Sequence, residues 1–97
     1  MDDNTKLNRT IGRNIMNLRV NLGLTQEDVA QAVGTNYTTI SRIENGRTST
    51  TLRTLSRLAE VLKVSMAEIL EVPNEEDVLT GNYRVRVYRD SPGEPKV

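Results

Sequence analysis

Residues 24–46 constrain the fold of this 97-residue chain more than any other segment. Two stretches with helical patterns of apolar residues meet at Gly34, and a glycine there predicts a tight turn between two short helices. In the second stretch, Ile40 and Ile43 are spaced to lie on one helical face. The other face is polar and carries Tyr37, Thr38, Ser41, Arg42 and Asn45. A helix with these two faces is suited to pack on a core and bind a polar surface.

Apolar residues at helical spacing predict further helices on both sides of this pair. Before it, the stripe consists of Ile11, Ile15, Leu18 and Leu22. After it, the apolar positions are Leu52, Leu55, Leu58, Ala59 and Leu62, followed by Met66, Ile69 and Leu70 in a short last helix. With three tyrosines, no phenylalanine and no tryptophan, the core must be aliphatic. The sequence therefore predicts an all-α bundle of five helices.

Capping residues predict where these helices begin. Hydroxyl and amide side chains can accept hydrogen bonds from the free amides of a first turn, and an acidic residue three positions later completes a capping box. The predicted caps are Asn8 or Thr10, Thr25 with Asp28, Thr35 or Asn36, Thr51, and Ser65 with Glu68. Gly23 and Gly46 are placed to end helices, and Pro73 follows the last one.

Composition argues against catalysis. Cysteine and histidine are both absent, which removes the thiol nucleophile, the usual general base and the soft metal ligands. We therefore expect no enzyme activity, metal, cofactor or small-molecule substrate. Without cysteine a disulfide is excluded, so a cytoplasmic protein is the natural expectation. No apolar run approaches the roughly 20 residues of a membrane span, and residues 1–4 do not resemble a signal peptide.

Positive charge is concentrated in the predicted helical part. The whole chain has a net charge of zero, yet residues 9–57 contain seven arginines and three acidic residues. The arginines are Arg9, Arg13, Arg19, Arg42, Arg47, Arg53 and Arg57. A local basic excess that coincides with a polar helix face indicates an anionic partner such as nucleic acid.

Residues 73–97 differ in character from the helical part. An acidic linker at 74–77 precedes a segment, 82–89, in which Tyr83, Val85 and Val87 alternate with polar residues. This alternation predicts one β-strand, and a single strand cannot stabilise itself in a small domain. It could pair with its copy across a dimer axis, add to a partner protein, or remain disordered. The end, 90–97, is predicted to be frayed.

Several spaced segments together resemble the Xre-type helix-turn-helix family, which includes the lambdoid phage repressors and Cro proteins. The match runs from Ile11 to Leu70 and rests on Ile15-x-x-Leu18-Arg19, Gly23-Leu24-Thr25-Gln26-Glu27-x-Val29-Ala30, Ile40-Ser41-x-Ile43-Glu44-Asn45-Gly46 and Leu55-x-x-Leu58-Ala59-x-x-Leu62-x-Val64-Ser65. The resemblance implies a DNA-binding domain at 9–72 that acts as a dimer on pseudo-palindromic operators. It implies nothing about the extension at 73–97.

The resemblance also implies roles for individual residues. Base-edge contacts are expected from Tyr37, Thr38, Ser41 and Arg42. Phosphate contacts are expected from Arg19, Gln26, Thr39, Asn45 and Arg47, and we add Arg53 because its charge near a helix start gains nothing from the helix dipole. Arg19 and Glu44 are expected to form a structural ion pair. For dimerisation we name Tyr83, Val85 and Val87 of the strand, with Ile69 and Leu70.

Some roles keep two interpretations. Arg42 could donate two hydrogen bonds to a guanine or remain a solvated arginine near a phosphate. Tyr37 could contact a thymine methyl group or cover the edge of the bundle, and Thr38 and Ser41 could bind bases directly or through water. For the whole chain, we expect a dimeric, sequence-specific transcriptional regulator of double-stranded DNA, most simply a repressor. The alternative is an antitoxin-like protein whose tail binds a partner protein.

Overall fold

The structure, a computed structural model, describes residues 3–72. Within this range there are five α-helices and no strand. They are α1 (Asp3–Asn21), α2 (Gln26–Val33), α3 (Tyr37–Glu44), α4 (Leu52–Leu62) and α5 (Met66–Leu70). The predicted all-α, five-helix class is confirmed. The predicted linker, strand and frayed end at 73–97 lie outside the described residues.

The first helix begins earlier than the capping residues predicted. It starts at Asp3, so neither Asn8 nor Thr10 is its cap. Residues 3–11 contain no glycine or proline that would stop the helix from extending back beyond Asn8. A residue with a capping side chain lies inside a helix when the residues on both sides of it are helical. Asn8 instead accepts a hydrogen bond at 3.3 Å from the hydroxyl of Ser49, in the loop before α4. At the other end, Gly23 adopts φ +74°, the left-handed conformation that was predicted.

The remaining predicted helix starts are confirmed. The side chains of Thr25 and Ser65 each accept a hydrogen bond from the backbone amide of the third helical residue, and the carboxylate of that residue accepts one from the backbone amide of the cap. Asn36 and Thr51 cap α3 and α4. In the α2 box, the backbone amide of Thr25 and then its hydroxyl interact with Asp28 and lower the pKa of that exposed carboxyl below its ordinary value. These local contacts fix where each short helix begins.

The aliphatic residues of all five helices form one core. Its members are Ile11, Ile15, Leu18, Val29, Ala30, Val33, Ile40, Ile43, Leu55, Leu58, Ala59, Leu62 and Ile69. Three residues predicted on inward faces are exposed instead, namely Leu22, Leu52 and Leu70. Leu22 follows the end of α1 and Leu52 is the first residue of α4, so each lies at a terminus where the helix face turns towards solvent. No helix among the described residues is long and apolar enough to span a membrane.

Helices α1 and α3 approach each other at Gly12. A Cβ atom at this position would lie 2.3 Å from the carbonyl oxygen of Ile43 and 2.6 Å from that of Glu44. Both distances are far shorter than van der Waals contact, so no side chain fits. Gly12 therefore lets the backbone of α1 lie directly against the end of α3.

A buried asparagine joins α1 to the end of the last helix. Asn14 is 7% exposed, and its amide donates hydrogen bonds to the carbonyl oxygens of Ile69 at 2.7 Å and Glu71 at 2.8 Å. The last carbonyls of a helix have no partner within it, and this side chain provides a partner for that of Ile69. Asn14 thereby fixes α5, a helix of five residues, on the bundle.

Lys63 ends α4 in an unfavourable backbone conformation. Its φ of +64° and ψ of 40° are left-handed, a conformation that costs a residue with a Cβ atom about 1–2 kcal/mol. Glycine avoids this cost, but it loses more conformational entropy on folding, which offsets part of the gain. We expect Lys63→Gly to raise the free energy of unfolding by about 0.5–1 kcal/mol in urea denaturation. Lys63→Ala, which removes the charge but keeps the Cβ atom, should give no such gain. Equal effects of the two substitutions would show that the backbone conformation is not the cause.

Candidate nucleic-acid interface

The two predicted faces of α3 are both present. Ile40 and Ile43 are 1% and 4% exposed and pack into the core. On the opposite side, Tyr37, Thr38 and Arg42 are exposed and Ser41 is half-buried; these four residues are called the α3 outer face. The structure thus brings all four predicted base-contacting residues to one side of one short helix. Tyr37 is 52% exposed, so about half of the residue remains accessible to a partner and about half is covered by the bundle.

The turn before α3 sets where this face begins. Gly34 has φ +89°, which ends α2, and its amide donates to the carbonyl of Ala30. Of the two predicted caps, Asn36 is the one used: its side-chain oxygen accepts a hydrogen bond at 2.9 Å from the amide of Thr39. Tyr37 is consequently the first helical residue, at the end of α3 nearest the turn.

Glu44 connects α3 to the two preceding helices through three hydrogen bonds. Its carboxylate accepts from Arg19 Nε at 2.7 Å, Arg19 Nη2 at 3.1 Å and Gln26 Nε2 at 2.9 Å. Arg19 Nη1 also donates to the carbonyl of Leu24 at 2.8 Å. The predicted ion pair is confirmed, with side chains 13% and 1% exposed. Residues of α1 and of the start of α2 both bind this carboxylate at the end of α3, so these contacts fix the orientation of α3 relative to both helices.

The same hydrogen bonds bear on two predicted phosphate contacts. Three of the nitrogens of Arg19 are directed at Glu44 and Leu24, and the Gln26 amide nitrogen is directed at Glu44. In the described structure both side chains therefore position α3. Their contact with phosphate remains a prediction. Sequence reasoning missed that Gln26 adds a third donor to the pair.

The other predicted phosphate-binding residues are distributed over α3, the loop that follows it and the start of α4. Asn45 donates its side-chain amide to the carbonyl of Ser41 at 2.9 Å, which caps the end of α3. Arg47, in the loop, and Arg53, in the first turn of α4, are exposed, while Thr39 is half-buried. One exposed cation thus lies in the loop that follows α3, and a second lies at the start of α4.

The residues predicted for dimerisation differ in what the structure says of them. Ile69 is fully buried in the core of its own chain, so its side chain cannot form part of a dimer surface unless the bundle opens. That part of the prediction is wrong, because the side chain of Ile69 already packs against the core of its own chain. Leu70 is 38% exposed. Tyr83, Val85 and Val87 lie outside the described residues.

Two residues that hold the helices of the bundle together were not predicted from sequence. Gly12 was detectable in principle, since glycine inside a helix costs about 1 kcal/mol relative to alanine and signals a close approach. Asn14 lies beside the apolar stripe of α1, but its partners are more than 50 residues away and no local pattern reveals them.

Comparisons with known proteins agree with this geometry. The helix-turn-helix family model matches residues 15–69, which is more than half of the chain. The uncharacterized HTH-type transcriptional regulator y4dJ of Sinorhizobium fredii is 37% identical over 69 residues, covering 71% of this chain and 90% of that protein.

Solved structures show the same arrangement. A hypothetical transcription factor from Neisseria, NHTF, superposes with a TM-score of 0.69 at 29% identity, covering 81% of this chain and 91% of that one. The restriction-modification controller protein C.AhdI from Aeromonas hydrophila superposes with a TM-score of 0.67 at 25% identity, covering 70% and 99% respectively. With its two-helix unit, polar outer face and matching relatives, this chain belongs to the helix-turn-helix family of DNA-binding transcriptional regulators.

Proposed function

We propose that the protein is a repressor that binds a pseudo-palindromic operator as a dimer in the cytoplasm. The observation that carries the proposal is the α3 outer face, which is exposed while α3 itself is fixed to α1 and α2 through Glu44. A helix that contacts base edges must be held rigidly, because hydrogen-bond discrimination fails when donors can shift by an ångström. No catalytic step is part of this function.

The proposed contacts divide into two classes. Tyr37, Thr38, Ser41 and Arg42 enter the major groove, where each base pair presents a distinct set of donors and acceptors. Thr39, Asn45, Arg47 and Arg53, with Arg19 and Gln26 where their donors remain available, bind phosphates and set the register of α3. Occupied operator DNA is then closed to polymerase.

Dimerisation would place two copies of α3 in successive major grooves, with half-sites roughly 34–36 Å apart. Leu70, exposed at the end of α5, and the apolar face of the predicted strand at 82–89 are the surfaces proposed for it. Sedimentation of the full chain tests this proposal. Val85→Asp with Val87→Asp should shift the dimer towards monomer, since two charges cannot be buried unpaired in a strand interface.

A second candidate function is an antitoxin-like role in which the tail binds a partner protein and the helical domain autoregulates its operon. The alternating pattern at 83–89 favours it, because an extended segment can add to the sheet edge of another protein. The same Val85→Asp, Val87→Asp variant distinguishes the two functions. Under this second reading it remains dimeric and loses a protein that copurifies with the wild type from its host.

Arg42 gives the sharpest test of base reading. It is exposed in the last turn of α3, and an arginine bidentate to guanine contributes about 1–3 kcal/mol of discrimination. We expect Arg42→Ala to reduce the ratio of specific to scrambled-duplex affinity by about 5- to 150-fold. Arg53→Ala is the matched control, and it should weaken both affinities alike. An unchanged ratio for Arg42→Ala would remove this residue from base recognition.

A further inference from the structure

The outer side of α1 carries cations without described acidic partners. From residue 4 to residue 26 the chain has no acidic residue, while α1 contains Lys6, Arg9, Arg13 and Arg19. Among the described residues, Arg19 alone of these four forms an ion pair, with Glu44. Lys6, Arg9 and Arg13 are all exposed.

One of these cations lies directly beside the loop that follows α3. A Cβ atom on Gly46 would lie 2.7 Å from Arg9 Cγ and 2.9 Å from Arg9 Cα, so Arg9 packs against the backbone of Gly46. Gly46 has φ +71°, which suits glycine, and Arg47 follows it immediately. The hydrogen bond from Ser49 to Asn8 holds the same part of α1 against the same loop. Arg9 and Arg47 are thus brought to one place from distant parts of the sequence.

We propose that Arg9 and Arg47, called here the Arg9–Arg47 pair, bind the DNA backbone together at the end of α3. This inference rests on the proposed function and deepens it by adding a phosphate contact from α1. Neither Arg9 nor Arg47 forms an ion pair among the described residues, so a phosphate bound beside Gly46 would lie close to two positive charges from different parts of the chain. The planar guanidinium fork also matches phosphate geometry.

The position of the pair explains why α1 contributes to binding. Gly46 and Arg47 follow the last turn of α3, where Arg42 and Asn45 lie, so a phosphate bound there flanks the groove that α3 enters. Phosphate contacts from Arg9 and Arg47 beside Gly46 would hold the C-terminal end of α3 on the DNA, whereas the Asn36 cap lies at the N-terminal end.

Salt dependence of DNA binding tests the pair, because each phosphate contact contributes about 0.9 to the slope of log Kobs against log salt. The full chain is titrated against the duplex it selects from random DNA and against a scrambled duplex. We expect Arg9→Gln to reduce the slope by about 0.9 on both duplexes and Arg47→Gln to do the same. The double variant should lose about 1.8, and Arg9→Lys should retain the slope because it keeps the charge.

Arg13→Gln is the matched control, since Arg13 is also an exposed arginine of α1, one turn further along, and has no described contact with the loop after α3. It should leave the slope unchanged, and circular dichroism should show all variants folded. If Arg9→Gln behaves like Arg13→Gln while the wild type selects its operator normally, the pair is overturned and the proposed function stands. If the wild type selects no duplex at all, both are overturned.

Discussion

Replacing Glu44 with alanine is expected to lower the free energy of unfolding by about 3 kcal/mol, which is large for a 97-residue chain. The substitution leaves Arg19, whose side chain is 13% exposed, without its carboxylate and removes the acceptor of Gln26. Partial exposure of Arg19 places the effect at the lower end of the range for a broken buried pair. Chemical denaturation followed by circular dichroism measures it.

A double-mutant cycle with Arg19 separates the ion pair from simple truncation. Arg19→Met with Glu44→Ala removes both charges and should be more stable than Glu44→Ala alone, because no buried charge is left unpaired. Gln26→Ala removes one of the three donors and should cost about 1 kcal/mol. If Glu44→Ala costs no more than Gln26→Ala, the carboxylate does not hold the three helices together.

Gly12→Ala is expected to destabilise the protein by about 3 kcal/mol, although alanine favours a helix by about 1 kcal/mol. The added methyl group would meet two backbone carbonyl oxygens at the end of α3, and backbone cannot rotate away as a side chain can. Helices α1 and α3 would have to separate, which also strains the Arg19–Glu44 pair. DNA affinity should fall with stability because α3 moves.

Gly23→Ala provides the matched control. Gly23 has φ +74° with no atom within 4 Å of its added Cβ, so that variant tests backbone strain without a clash and should cost about 1 kcal/mol. Gly12 tests the clash without a positive φ. A Gly12→Ala variant as stable as the wild type would mean that α1 and α3 are not in contact at this point.

The features that sequence predicted are those set by neighbouring residues. The Thr25–Asp28 and Ser65–Glu68 capping boxes and the glycines that end helices at 23 and 34 depend on a few adjacent positions, and they occur where predicted. The start of α1 was misplaced, because Asn8 has capping potential that its helical context overrides. The side chain of Asn8 instead accepts a hydrogen bond from Ser49, which is 41 residues away in the sequence.

The site was predictable to a similar depth. The two faces of α3 follow from the spacing of Ile40 and Ile43, so the α3 outer face could be named in advance. The Arg19–Glu44 pair came from family resemblance, since nothing local to either residue indicates the other. The third donor from Gln26 and the contact between Arg9 and Gly46 depend on how helices distant in sequence pack together. Those contacts required the structure.

The central claim is that a rigidly held α3 reads bases in two half-sites related by symmetry. Selection of binding sites from random duplex DNA with the full chain tests it most directly. We predict an enriched inverted repeat with half-sites about one helical turn apart, 10–10.5 base pairs, and a guanine at the position contacted by Arg42. Enrichment of no sequence, or of single unpaired sites with no symmetry, would contradict it.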